Sequence, residues 1–457
     1  MAEYNATFQG MIKALLEEKK FSSIKDVIST MAATDLVALF ERIDEKDVPV
    51  VFRLLPKSSA ADVFVEMDND FQELLIKSFS DSELKAILDE LYVGDTTDLV
   101  EEMPANVVER ILSQIDPATR KDINQLLQYP ENSAGSIMTT EYVAFRLGTT
   151  VGQAINQLRR TGLDKKSFYA CYVTKNRKLI GRLSVKDLLL AKDDDIIIDD
   201  LLKTNVISVR THDDKEEVSK LLSKYNFYAI PVVDGDNRMV GIISFDEAVE
   251  IMEDEATEDI EIMAGMTPSE KTYLRSTPFD LFKHRIGWLM LLMVSATFTG
   301  MIITGFENAL STLVVLTAFI PMLMDTGGNS GSQSSVTIIR ALSLGEVEFR
   351  DLGRIIWKEA RTALLCGVML AAVCFGKIML VDKLLLRNEE VTVLVAGVVC
   401  LTMAATVFVA KIIGCTLPLV AKKLGFDPAV MASPFITTIV DAISLLVYFG
   451  IASAFLF

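Results

Sequence analysis

PFITTIVDAISLLVYFG, residues 434–450, is an apolar run of helix length that carries one carboxylate, Asp441. No Lys or Arg follows that acid to offer it a local partner. An ionisable group at membrane depth costs about 2.5–3.5 kcal/mol on insertion scales, so it usually faces an aqueous path or a partner. Thr437 lies one turn before Asp441 on the same helix face, and Ser433, Pro434 and Thr438 add to the polar set. Pro434 is expected to release the carbonyl of Val430, four residues upstream. The stripe reads as the lining of an ion path, with an inter-helix polar contact as the alternative.

Four more stretches, 286–305, 309–324, 362–382 and 391–410, join 435–457 as candidate spans, each near the ~20 residues a bilayer requires. The second is short, carries Pro321 and runs into DTGGNSGSQ (325–333). It is expected to be a span broken by glycines, whose freed carbonyls face a cavity or packed protein, or else a plain loop. Lys/Arg are richer in alternate loops: Lys283 and Arg285, then Arg340, Arg350, Arg354, Lys358 and Arg361, then Lys411, Lys422 and Lys423. That bias predicts a multi-pass protein of the cell membrane, with a cytosolic N-terminal part and the C-terminus outside. The opening MAEYNATFQG shows neither a basic nor an apolar signal region, so no cleaved leader is expected.

Residues 1–270 hold 50 Asp/Glu against 30 Lys/Arg, whereas 271–457 hold 12 against 15. A nucleic-acid partner does not fit so acidic a soluble part; cations do. The five cysteines show no CxxC spacing, and two histidines cannot make a His-rich metal centre. No nucleophile–base pair is legible, so an enzyme is not expected. For the pore stripe, a hydrated hard cation suits one carboxylate, hydroxyls and backbone oxygens. Mg²⁺ keeps much of its water on few carboxylates, whereas Ca²⁺ needs a denser cage. A symmetric dimer would bring two copies of Asp441 around one axis.

Residues 136–197 and 200–252 repeat one unit: FYACYVTKNRKLIGRLSVKD (168–187) aligns with FYAIPVVDGDNRMVGIISFDE (227–247). Each reads helix, strand, turn, strand, helix. The repeat resembles a tandem pair of CBS domains. That resemblance implies an adenine nucleotide such as ATP in the cleft, with Ser184, Lys186 and Asp187 at ribose and phosphate and Phe227 against the base; a pair that binds nothing is the alternative. Residues 1–130 read as short Leu-rich helices broken by Asp, Ser or Pro. There Asp95 and Asp98 serve as helix caps or as ion ligands. In EAVEIMEDEATEDIEIMAG (247–265), Glu247, Glu250, Asp254 and Glu258 recur at helical spacing. Like charges so placed destabilise an isolated helix and invite counter-ions.

Taken together, PMLMDTGGNSGSQSS (321–335), EDEATEDI (253–260) and DPAVMASPFITTIVD (427–441) resemble the MgtE family of magnesium channels over nearly the whole chain. The resemblance implies a multi-domain membrane protein. It would comprise an all-α superhelical domain (1–130), an α/β tandem CBS pair (131–252), an acidic connecting or plug helix (253–280) and a five-helix transmembrane domain (281–457). It implies a homodimer with Asp441 as pore ligand, beside Thr437 and Ser433. It places regulatory Mg²⁺ on Asp62, Asp98, Asp214, Glu216, Glu247, Glu250, Glu255, Glu258 and Asp259. Ser433 stands where the family can have Asn, Asn226 where it can have Asp, and Gly94 where it can have an acid. The expected activity is Mg²⁺ uptake gated by cytosolic Mg²⁺. An ion-coupled secondary transporter of divalent cations is the alternative, which would show inverted repeats or further buried charges.

Overall fold

The computed structural model describes residues 2–162, 165, 167–269, 273 and 276–456, and it divides after Met252 into two compact units. The first begins with ten helices among the described residues, from Ala2–Glu17 to Pro117–Leu126. They are short because caps recur. Asp68 accepts from the Phe71 amide, Ser80 and Glu83 form a reciprocal box, and Asp116 holds the amides of Ala118 and Thr119. Their apolar faces share one core, where Phe52 meets Phe40, Phe64 and Phe79 at ring separations of 6.2, 6.4 and 5.5 Å.

Two three-stranded sheets follow. In the first, β1 (Tyr142–Arg146) pairs parallel with β2 (Ser167–Lys175), which pairs antiparallel with β3 (Lys178–Ser184). In the second, β4 (Val209–Arg210), β5 (Ala229–Val233) and β6 (Met239–Ser244) repeat that order and polarity. The aligned glycines take equivalent places, Gly181 opposite Val173 and Gly241 opposite Val232. Each is crossed by the segment leading into the other copy: Lys203 bridges Arg182, and Thr139 bridges Ile242. A Cβ on Gly181 would strike Leu202, and one on Gly241 would meet Met138 and the Thr139 carbonyl. The acidic helix expected from 253 instead spans Phe245–Met263. It starts directly after β6 and ends before Gly265, whose φ of +72° is a left-handed conformation suited to glycine.

Among its described residues the second unit holds five long helices: α1 (Pro278–Gly305), α2 (Ile320–Ser343), α3 (Leu352–Lys377), α4 (Val393–Leu424) and α5 (Ser433–Leu456). Four are long and apolar enough to cross a membrane; α2 is the polar one. The span expected at 309–324 is not one element. A short helix Glu307–Thr312 and a 3-10 turn Val314–Phe319 precede α2, and Tyr448 of α5 donates to the Leu316 carbonyl at 3.0 Å. The DTGGNSGSQ run is neither broken nor a loop: it lies inside α2, with Gly327, Gly328, Ser330, Gly331 and Ser332 buried. Missing side chains explain this, because a Cβ on Gly414 of α4 would collide with the Gly331 carbonyl. Small residues allow such backbone approach between membrane helices.

Candidate metal-transport site

Asp441 sits in the middle of α5, partly buried, against the glycine face of α2. A Cβ on Gly328 would stand 3.0 Å from Thr437 Cγ2 and 3.7 Å from Asp441 Oδ1. One turn earlier on α2 is Asp325, near enough for its carboxylate to repel that of Asp441, and Asn329 donates to Asp325 at 3.0 Å. Sequence reasoning missed Asp325 as a site residue. Its spacing from Gly328 and Ser332 on a helical face was the available signal, obscured by reading the run as non-helical. Ser433 opens α5, but its side chain lies outside the described residues. The Thr437 and Thr438 hydroxyls both donate to the Pro434 carbonyl at 3.0 Å. Since α5 begins at Ser433, Pro434 falls in its first turn, where the lost amide costs nothing. The expected release of the Val430 carbonyl from a helix therefore does not occur. One turn beyond Asp441, Ser444 and Thr406 of α4 flank Gly327, and their buried hydroxyls find no hydrogen-bond partner among the described protein atoms.

Two serines anchor α2. Ser335 donates to the Met431 carbonyl at 2.6 Å, before α5. Ser334 donates to Glu359 of α3 at 2.7 Å and accepts from Lys411 of α4 at 3.3 Å. Lys411, expected in a loop, is therefore inside α4 and only 5 % exposed. Arg340 likewise lies in α2, and Arg354, Lys358 and Arg361 lie in α3.

In the first unit, Asp98 and Glu247 line one small cavity together with Gly94, Ser136, Thr139 and Ser244. Asp214 caps the helix Lys215–Tyr225 by accepting from the Glu216 and Glu217 amides, and Glu216 pairs with Lys220 at 2.6 Å. Asn226 ends that helix in the left-handed conformation that Asn tolerates. Asp62 is exposed on the helix Lys57–Val65, and Glu250 is exposed on the acidic helix. Glu255, Glu258 and Asp259 follow on that helix, in the second unit. Among the described residues no three His, Cys, Asp or Glu converge on one metal position.

At the positions where the sequence leads us to expect a nucleotide, Ser184 and Asp187 form a reciprocal cap, with Asp187 accepting from the Ser184 hydroxyl at 2.7 Å and its amide at 2.9 Å. Burial opposes the Asp187 charge, but these bonds more than offset it and hold its carboxyl below the usual range. Lys186 is exposed beside them. Phe227 is covered by the Arg182 guanidinium at 4.7 Å and stacks with Tyr225 at 5.4 Å. Glu141 of the first CBS copy accepts from the Val93 amide at 3.1 Å, at the start of the helix Val93–Glu102, and from Thr139 Oγ1 at 2.9 Å.

A first unit with two repeated three-stranded sheets, followed along the chain by membrane-length helices, one of which carries a carboxylate midway along it, defines a class: multi-pass membrane proteins bearing a CBS pair. Family models match three regions: a divalent cation transporter domain at 320–451, an MgtE intracellular N domain at 13–132, and CBS domains at 134–194 and 198–254. The chain is 34 % identical to the magnesium transporter MgtE of Thermus thermophilus, covering 96 % of this chain and 97 % of that protein. It is 32 % identical to the magnesium transporter MgtE of Bacillus subtilis, covering 97 % and 96 %. Among solved structures, the cytosolic domain of the Mg²⁺ channel MgtE in complex with ATP aligns with a TM-score of 0.50 at 34 % identity, over 52 % of this chain and 98 % of that one. The soluble part of a magnesium transporter aligns with a TM-score of 0.50 at 27 % identity, over 55 % and 99 %. The chain belongs to the MgtE family of divalent cation transporters.

Proposed function

We propose that the protein is a homodimeric Mg²⁺ channel that admits Mg²⁺ to the cell and is closed by Mg²⁺ on its cytosolic side. The observation that carries the pore assignment is Asp441, a carboxylate within a membrane-length helix and set against a glycine face. The absent Cβ at Gly328 lets the backbone of α2 come close to Thr437 and the Asp441 carboxylate. Asp441 supplies charge, while Thr437 and Ser433 add oxygen from the preceding turns of α5. Asp325 reinforces the negative field from α2. A hydrated ion held by water-mediated contacts can leave as readily as it enters, as conduction requires.

Closure is assigned to the acidic surfaces of the soluble part. Asp98 and Glu247 share a cavity, and a divalent ion between them would tie the N-terminal helices to the CBS pair. Asp62, Asp214 and Glu216 are further ligands in that unit, as are Glu250, Glu255, Glu258 and Asp259 along the acidic helix. Moving a gate from mostly open to mostly shut requires about 5.5 kcal/mol of differential binding, which several weak sites supply jointly. ATP, where bound, would be held by Ser184, Lys186 and Asp187 at ribose and phosphate and by Phe227 at the base, adding negative charge near the ion sites. We assign the N-terminal part to the cytosol and the C-terminus to the outside.

The test is recording from purified protein in planar bilayers with Mg²⁺ varied separately on each side. Asp441→Asn, which keeps the side-chain volume, is expected to abolish selective Mg²⁺ current; an unaltered current refutes the pore assignment. Replacing Glu255, Glu258 and Asp259 by their amides is expected to leave current flowing at high cytosolic-side Mg²⁺, and normal closure would count against the sensor. An ion-coupled transporter would instead show no unitary currents.

A further inference from the structure

The outer face of α3 carries Arg354, Trp357, Lys358 and Arg361 at helical spacing, all exposed, with the Arg354 side chain 91 % and Trp357 65 % accessible. The helix's own interior carboxylate does not neutralise them, because Glu359 takes the Ser334 hydroxyl inside the bundle. Arg354 has Asp351 at 3.7 Å. Neither Lys358 nor Arg361 has a carboxylate partner among the described residues; Arg361 lies 5.7 Å from the Trp357 ring instead. Lys423 adds a cation near the start of this helix, 4.0 Å over Phe349. The same face continues with Leu364, Leu365 and Val368, each more than 60 % exposed. A basic patch, an indole and an apolar stripe thus follow one another on a single helix side, the order of phosphate, glycerol region and acyl chain in a lipid.

We propose that this face of α3 seats an anionic phospholipid, its phosphate among Arg354, Lys358 and Arg361 and its acyl chain along Leu364, Leu365 and Val368. The proposal rests on the membrane reading of the second unit. Free phosphate would satisfy the cations but leave the adjoining apolar stripe without a purpose, so the lipid is the occupant that accounts for both. Basic side chains near an anionic bilayer surface each favour it by about fivefold, and a bidentate guanidinium adds geometric selectivity.

The chain has two tryptophans, Trp288 and Trp357, so a Trp288→Phe background isolates the indole in the patch. The full-length protein is placed in phosphatidylcholine nanodiscs doped with equal small fractions of acyl-brominated phosphatidylglycerol or acyl-brominated phosphatidylcholine. Quenching of Trp357 is expected to show phosphatidylglycerol enriched by at least about fivefold, the effect of one well-placed basic side chain. Replacing Arg354, Lys358 and Arg361 together by Gln should bring the two lipids to parity while quenching persists. Parity in the parent protein, or a preference abolished by added inorganic phosphate, overturns the lipid assignment. Absence of quenching by either lipid would instead count against the membrane reading beneath it.

Discussion

Gly328 of α2 and Asp441 of α5 face each other so closely that a single added methyl would stand 3.7 Å from the carboxylate oxygen. The glycine run of α2 therefore sets how near backbone comes to the acid, and Ser334 and Ser335 hold α2 at that register from the next two turns. Gly328→Ala puts a methyl 3.0 Å from Thr437 Cγ2 in a buried contact, so the face of α5 that carries Thr437 and Asp441 must shift away from α2. We expect sharply reduced Mg²⁺ flux with normal expression, read by uptake into proteoliposomes. Unchanged flux would mean the cation does not pass this face.

Packing rather than conduction is tested where α4 crosses α2. At Gly414 a Cβ would meet the Gly331 carbonyl, and backbone yields less than a side chain end. Gly414→Ala is expected to lower stability by about 1–3 kcal/mol, the usual cost of overpacking, seen as an earlier thermal transition in detergent. At Gly353, where no atom lies within 4 Å of the added carbon, Ala should be neutral or slightly stabilising.

These contacts show which features a linear reading reaches. The CBS repeat was legible because both copies keep Gly181 and Gly241 at one register, where a crossing segment forbids a side chain. Asp441 was legible because a lone acid interrupts an apolar run. The character of α2 was not, because Gly and Ser favour breaks on local propensity, and only contacts with α4 and α5 make their smallness an asset. Lys411 misled for a related reason: a lysine after an apolar stretch marks a membrane edge unless a distant partner draws it inside. That partner, Ser334, lies 77 positions earlier in the chain.

Two carboxylates of the first unit give opposite pH dependence. Burial raises the Glu141 carboxyl above its ordinary 4.5, so the neutral acid suits the folded state. Its contribution is complete below pH 4.5 and is lost as pH climbs through the raised value. Glu83, held down to about 2 chiefly by its bond from Arg53, contributes above pH 4.5 and loses that contribution as pH falls toward 2. In a soluble fragment ending at Met263, Glu141→Gln should remove part of the stability loss above pH 4.5. Arg53→Leu should bring acid unfolding to higher pH. Thermal melts across the pH range check both, and identical profiles for variants and parent would overturn the assignments.

Lys411 allows a sharper separation of partners. Its ammonium is buried within a membrane-length helix and donates to a hydroxyl, Ser334, which in turn donates to Glu359. Removing one member of a buried ionic set leaves the other charge without compensation, a loss of about 3–5 kcal/mol, whereas replacing both by apolar or neutral groups is often close to neutral. Lys411→Met should therefore destabilise strongly, and adding Glu359→Gln should recover most of the loss. The double-mutant cycle, followed by thermal unfolding in detergent, isolates the coupling through Ser334. Simple additivity of the two changes would show that the ammonium and the carboxylate do not sense one another, and that α2, α3 and α4 are joined there by packing alone.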